Sequence, residues 1–192
     1  MTLASCAALV RSSPDAAIAA ANRWTLTGGI DARLCLAQAY VARERWTAAA
    51  IAFAQAADDA VRAGDPRAAH LHVQAGNAWL AADDHVRARA ALDAALALAT
   101  LSDELQGEAL IDRARAHVAA GDLAAARVDL DRGVALVPAD PFGWYASASL
   151  AARAGDLARA RADIARAATL APDDAGIRTL SASLAAPSPK TD

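Results

Sequence analysis

Apolar residues recur three and four positions apart through most of the chain, the spacing that puts them on one face of a helix. Leu34, Ala37, Tyr40 and Val41 mark one such segment, and Ala49, Phe53, Ala56 and Ala57 the next. Ala88, Leu92, Ala95 and Leu98 repeat the second pattern further on. Short polar interruptions, Glu44-Arg45-Trp46 and Asp83-Asp84-His85, read as turns between helices. At the start, residues 2–12 predict a short apolar helix. Ser13-Pro14 reads as the N-cap and first residue of a second helix that runs to about Thr27, where Gly28-Gly29 end it.

The pattern repeats internally. Gly121-Asp122-Leu123-Ala124 returns as Gly155-Asp156-Leu157-Ala158, 34 residues later, and Ala126-Arg127, Leu136 and Pro138 return as Ala160-Arg161, Leu170 and Pro172. Earlier repeats are spaced by 39 and 38 residues, so two corners are lengthened by about a helical turn. One continuous domain is expected, divided into a degenerate helix pair at 1–29 and repeats at 30–68, 69–106, 107–140 and 141–174. The first full repeat has a long second helix that stops near Gly64, and Asp65-Pro66 is expected to cap and open the next. A capping helix over 175–186 and a frayed tail at 187–192 complete the reading.

A 34-residue unit of two helices resembles the tetratricopeptide repeat. Trp144 stands at the family's fourth position, Ala75-Gly76-Asn77-Ala78-Trp79 is similar to its first-helix element, and Ala49, Ala88, Ala126 and Ala160 stand where it keeps a small residue. Phe53, Leu92, Leu130 and Ile164 fill the position between repeats. The resemblance implies an all-α, right-handed α-solenoid of helix-turn-helix repeats with about eleven helices. A weaker resemblance, from Trp46 through Leu98, is to the long-helix repeats of soluble NSF attachment proteins, and it reads as shared repeat geometry.

Composition narrows the function. The 192 residues are 56% hydrophobic but only 4% aromatic, which suits thin helices packed closely and not a sandwich of strands. Nineteen basic residues against 22 acidic leave a net charge of −3, which argues against nucleic acid as a partner. No apolar run reaches the ~18–20 residues that span a bilayer, so no membrane partner is expected. Leu3-Ala4-Ser5-Cys6 looks like a lipobox but follows no apolar signal core, and reads as part of the first helix. The expected location is cytoplasmic by default, or periplasmic if an export signal has been removed.

The resemblance implies a concave groove lined by first helices, which takes an extended peptide or a helix. The matching residues are Gln38, then His70, Gln74 and Asn77, then Asp112 and Arg115, then Phe142, Tyr145 and Ser149. Leu34, Val41, Val73, Leu80, Glu108, Ile111, Val118 and Arg153 fall at the same family positions. Asn77 and Gln74 offer amides to a partner backbone, and Phe142 and Tyr145 offer aromatic anchors. The lysines of the family's chaperone-tail clamp are missing. Arg127 and Arg161 are expected on the opposite, second-helix face.

His70, His72, His85 and His117 form no metal-ligand motif, so no metal is expected. The pairs Asp58-Asp59, Asp83-Asp84 and Asp173-Asp174 read as caps at helix ends or turns. No nucleophile elbow or phosphate loop occurs, so neither an enzyme nor a cofactor is expected. Cys6 and Cys35 lie on neighbouring first helices, either as two buried thiols or as a bridge, and a bridge points to an exported setting. The functional expectation is a non-catalytic scaffold binding an unknown protein or peptide, itself a monomer or weak homo-oligomer. The alternative is a self-associating structural or small-ligand-binding helical domain.

Overall fold

The computed structural model describes residues 1–185, and the frayed tail expected at 187–192 lies outside the described residues. Eleven helices and no strand occur among the described residues. They are α1 (Leu3–Ser12), α2 (Pro14–Trp24), α3 (Gly29–Val41), α4 (Trp46–Ala63), α5 (Ala68–Ala81) and α6 (His85–Ala97). There follow α7 (Asp103–Ala119), α8 (Leu123–Leu136), α9 (Pro141–Arg153), α10 (Leu157–Leu170) and α11 (Ala175–Ala185). The chain forms two compact units, one through Leu105 and one from Gln106 onward.

In both units the helices close on small residues. Ala49, Ala88, Ala126 and Ala160 are all fully buried, so the second helix of each repeat meets its first helix at a methyl group. Phe53, Leu92, Leu130 and Ile164, one turn further on, are buried as well. Where the second helix brings Leu92, the first helix has Gly76. A Cβ there would stand 2.6 Å from Leu92 Cγ, too close to keep. In the second unit Ile111 of α7 is enclosed in the same way: a Cβ added at Gly133 or at Gly143 would lie 2.7 Å from its side chain.

The turn between the paired helices has one backbone form. Glu44, Asp83, Gly121 and Gly155 stand at the same place in four successive repeats, and all have positive φ, 53°, 61°, 80° and 79°. Glycine adopts that conformation freely, whereas Glu44 and Asp83 hold it against their own Cβ. In the last three of these repeats the following aspartate then caps the second helix, whereas Arg45 holds that place in the first without a side-chain cap bond. Asp84, Asp122 and Asp156 each accept from the backbone N–H three residues on, at 3.0 Å.

Three local expectations are corrected. Ser13 and Pro14 stand at the N-cap and first position of α2 as expected, but that helix ends at Trp24 rather than near Thr27, and Gly29 opens α3 instead of closing α2. Asp65-Pro66 does not open α5, which starts at Ala68. Asp65 instead accepts from the Arg67 backbone at 2.9 Å and from its guanidinium. Asp58-Asp59 lies inside α4 rather than at its end, and Asp59 there pairs with Arg33 at 2.6 Å and with Arg62.

The opening pair is fastened covalently. Cys6 of α1 and Cys35 of α3 form a disulfide with their Cα atoms 5.9 Å apart. Both are fully buried beside Ala21, Val10, Trp24 and Leu36.

Candidate functional site: a stripe along the first helices

The first helices carry one recurring stripe. In α5 it is His70, Gln74 and Asn77, spaced four and three apart and so stacked on one face. His70 and Asn77 are exposed and Gln74 is half-buried, its amide 2.8 Å from the His70 imidazole. The Asn77 carboxamide makes no hydrogen bond among the described residues and is open to a partner. In α3 the same positions hold Asp31, Cys35 and Gln38. Here the stripe is mostly spent: Asp31 takes the Arg67 guanidinium at 2.8 Å, Cys35 is bridged, and Gln38 is left half-buried.

In the second unit the stripe becomes Glu108, Asp112 and Arg115 on α7, then Phe142, Ala146 and Ser149 on α9. Arg115 is exposed and binds Asp112 at 2.9 Å. Burial pushes the Asp112 carboxyl above the usual carboxylate range, with the Arg115 hydrogen bond pulling it back and the Asp140 charge adding to the rise. Phe142 is 60% exposed at the start of α9. Ser149 is half-buried.

Position on the helix decides which of the expected residues meet solvent. Val73, Leu80 and Ile111 are buried, so they are core and not groove. Tyr145 stands at the repeat position of Val73 and Ile111, one residue off the stripe. It is half-buried against the cluster of Trp144, Ile164 and Ile177, and a Cβ on Gly176 of α11 would lie 3.8 Å from its ring and hydroxyl. Its geometry is that of a packing residue under the last helix.

Arg127 and Arg161 do not stand free on the second-helix face. Arg127 of α8 donates to Ser147 Oγ of α9 at 2.8 Å and pairs with Asp131 at 2.9 Å. Arg161 of α10 donates to the Leu184 carbonyl of α11 at 2.9 Å. Each bridges one repeat to the helix that follows. Trp144 is a fixed member of the same packing. Its Nε1–H donates to the Pro138 carbonyl at 2.9 Å, and Arg166 lies 4.6 Å above its ring. Among the described residues no helix is long and apolar enough to cross a membrane, and no group of three or more acidic, histidine or cysteine side chains is placed to hold a metal ion.

No family model and no curated protein matches the chain. Solved structures do match it. TTC0263, a thermophilic TPR protein of Thermus thermophilus, is similar over 95% of this chain and 96% of its own, with a TM-score of 0.62 and 21% identity. A chain of the APC/C hetero-tetramer Cut9-Hcn1 is similar over 96% of this chain at a TM-score of 0.58 and 13% identity, and this chain spans 42% of its length. The first TPR of Spaghetti (RPAP3), bound to the HSP90 peptide SRMEEVD, is similar over 64% of this chain and 97% of its own, with a TM-score of 0.54 and 19% identity. At such identities the likeness is one of fold: the chain has the fold of the tetratricopeptide-repeat α-solenoids.

Proposed function

We propose that the chain is a non-catalytic scaffold for protein–protein interaction, and that its first-helix stripe takes an extended peptide or a helix of a partner. The observation that carries this reading is the register. His70, Asn77, Glu108, Arg115 and Phe142 recur at stripe positions and are exposed, while Val73 and Ile111 on the same helices are buried. The fold neighbour bound to an HSP90 peptide supports a peptide as the kind of ligand. The Cys6–Cys35 bond supports an oxidising compartment as the place of work.

The test selects peptides from a phage-displayed library on the full chain and measures one selected peptide by fluorescence anisotropy. For a peptide held by the first unit, Asn77→Ala is expected to weaken it roughly thirtyfold, about 2 kcal/mol, and for one held by the second unit Phe142→Ala is expected to do the same. Arg132→Ala, an exposed change on α8, leaves it unaltered. If no peptide depends on the stripe, or Arg132→Ala alone weakens binding, the reading is wrong.

A further inference from the structure

One position of the stripe is closed, and a covalent bond closes it. Gln74, Asp112 and Ala146 stand at the middle stripe position of the later repeats, and each is half-buried. Cys35 stands at that position in α3 and is fully buried. Its cover is α1: Cys6 is bonded to it, and Val10, one turn further along α1, packs against the same cluster. The opening helix therefore lies over the α3 end of the stripe.

Apart from that bond α1 is weakly held. Cys6 alone among its ten residues is buried, while Ala4, Ser5, Ala8, Arg11 and Ser12 are exposed. The side-chain hydrogen bonds of Ser5 with Thr2 and of Ser12 with the Ala8 carbonyl stay within the helix and its cap. So short a helix does not persist alone in water. A single residue, Ser13, in extended backbone, joins it to α2. In contrast, α2 has its own attachment: Ala17 and Ala21 are fully buried, and Asp15 pairs with Arg43, just beyond α3, at 3.1 Å. Large buried side chains such as Phe53 of α4 and Leu71 of α5 anchor the helices that follow; at α1 the bridge takes that part.

We propose that the Cys6–Cys35 bond is a redox latch on the groove, a regulation that rests on the stripe being the peptide site. Bridged, α1 covers the α3 end. Reduced, α1 comes away, Cys35 opens between Asp31 and Gln38, and the groove lengthens by one repeat. The reductant is a dithiol. One of its thiolates attacks Cys6 Sγ as the Sγ–Sγ bond breaks, and Cys35 leaves as a thiolate that takes up a proton. The second sulfur of the dithiol then attacks the mixed disulfide, and Cys6 leaves and is protonated in turn. Two electrons and two protons pass to the chain, and the dithiol becomes a disulfide. Because both cysteines are fully buried, the dithiol meets the bond only when α1 opens locally.

The test uses the full chain, with dithiothreitol as the dithiol. On reduction, amide hydrogen exchange in α1 should speed up by roughly tenfold or more, while exchange in α5 and α6 stays within about twofold. In Cys6→Ser, Cys35 should react with iodoacetamide at a rate within roughly tenfold of a thiol in the urea-unfolded chain. Slow labelling of Cys35 would show that α1 stays docked without the bond, and would overturn the latch. So would reduction that speeds exchange in α4, α5 and α6 together with α1, since the bond would then staple the whole unit. Gating is read by fluorescence anisotropy with a peptide selected on the reduced chain and weakened by Asn77→Ala. The bridged chain should bind it roughly tenfold more weakly than the reduced chain, and Cys6→Ser should match the reduced chain with or without dithiothreitol. N-ethylmaleimide on Cys35 of that variant should block binding. Equal affinity of the bridged and reduced chains would overturn the gating even with α1 released. If no peptide depends on Asn77, the stripe reading and the gating fall together, while exchange and labelling still decide whether the bond holds α1 in place.

Discussion

Asp129 and Asp163 occupy the same position of successive repeats, 34 residues apart, and draw their hydrogen bonds from different partners. Asp129 is gripped by Arg113 of α7 through two bonds of 2.7 and 2.6 Å. Asp163 has Ser147 where Asp129 has Arg113, and Ser147 Oγ donates to it. The missing guanidinium is supplied by the preceding repeat: Arg127 reaches Ser147, while Arg159 approaches Asp163 at 3.4 Å and binds Asp131. A pair inside one repeat has become a network that ties two repeats together.

Removing Asp129 should therefore cost more than removing Ser147. Asp129→Ala removes both bonds that the Arg113 guanidinium, 20% exposed, donates to a buried carboxylate, and should cost about 3 kcal/mol. Ser147→Ala strips Asp163 of its hydroxyl and Arg127 of one acceptor, for about 1–3 kcal/mol. Urea denaturation of both variants checks the order. Equal small losses would mean that water replaces these bonds without penalty.

The Cys6–Cys35 bridge should be a measurable staple. It closes a sequence separation of 29 residues, and loop-closure entropy for such a length is about 3–4 kcal/mol. Unreduced, denatured protein should then show no free thiol, and reduction should lower the melting temperature. Two titratable thiols in that sample would remove both the staple and the argument for an oxidising compartment.

Two aspartates should respond oppositely to acid. Burial first, and then the Asp140 charge, raise the Asp112 carboxyl above its reference value of 3.8, so the folded chain binds that proton more tightly than the unfolded one. The penalty is present at neutral pH and is relieved as pH falls through the raised value. Asp65 is held down at about 2 by the Arg67 side chain and backbone, so its contribution is present above 3.8 and is lost as pH falls towards 2. Asp112→Asn should melt at or above the parent temperature at pH 7 and lose that advantage near pH 3. Asp65→Asn should melt lower at pH 7 and converge on the parent in acid. Parallel melting curves across this range would refute both assignments.

The second unit was the more legible half. Gly121 and Gly155 announce their turns because glycine is the residue that a positive φ selects, and Asp122 and Asp156 announce the caps beside them. Glu44 and Asp83 make the same turn with a side chain that gives no such signal, so the earlier repeats are blurred in sequence and regular in space. The stripe was legible only to within one residue. A one-residue step on a helix turns a side chain by about 100°, which carries Tyr145 off the stripe position of its neighbour Ala146 and under α11. The roles of Arg127 and Arg161 were hidden, since their acceptors, Ser147 and the Leu184 carbonyl, belong to the following helix and are set by packing.

Ile111 stands between Gly133 and Gly143, with no room for a methyl group at either. Three helices thus share a single large side chain, and the two glycines are the space it needs. These positions make one unit of inheritance: a change at any of them is judged by the other two. Bulk gained on α8 or α9 has to be surrendered on α7, and drift at this crossing proceeds by exchange between helices rather than by independent substitution.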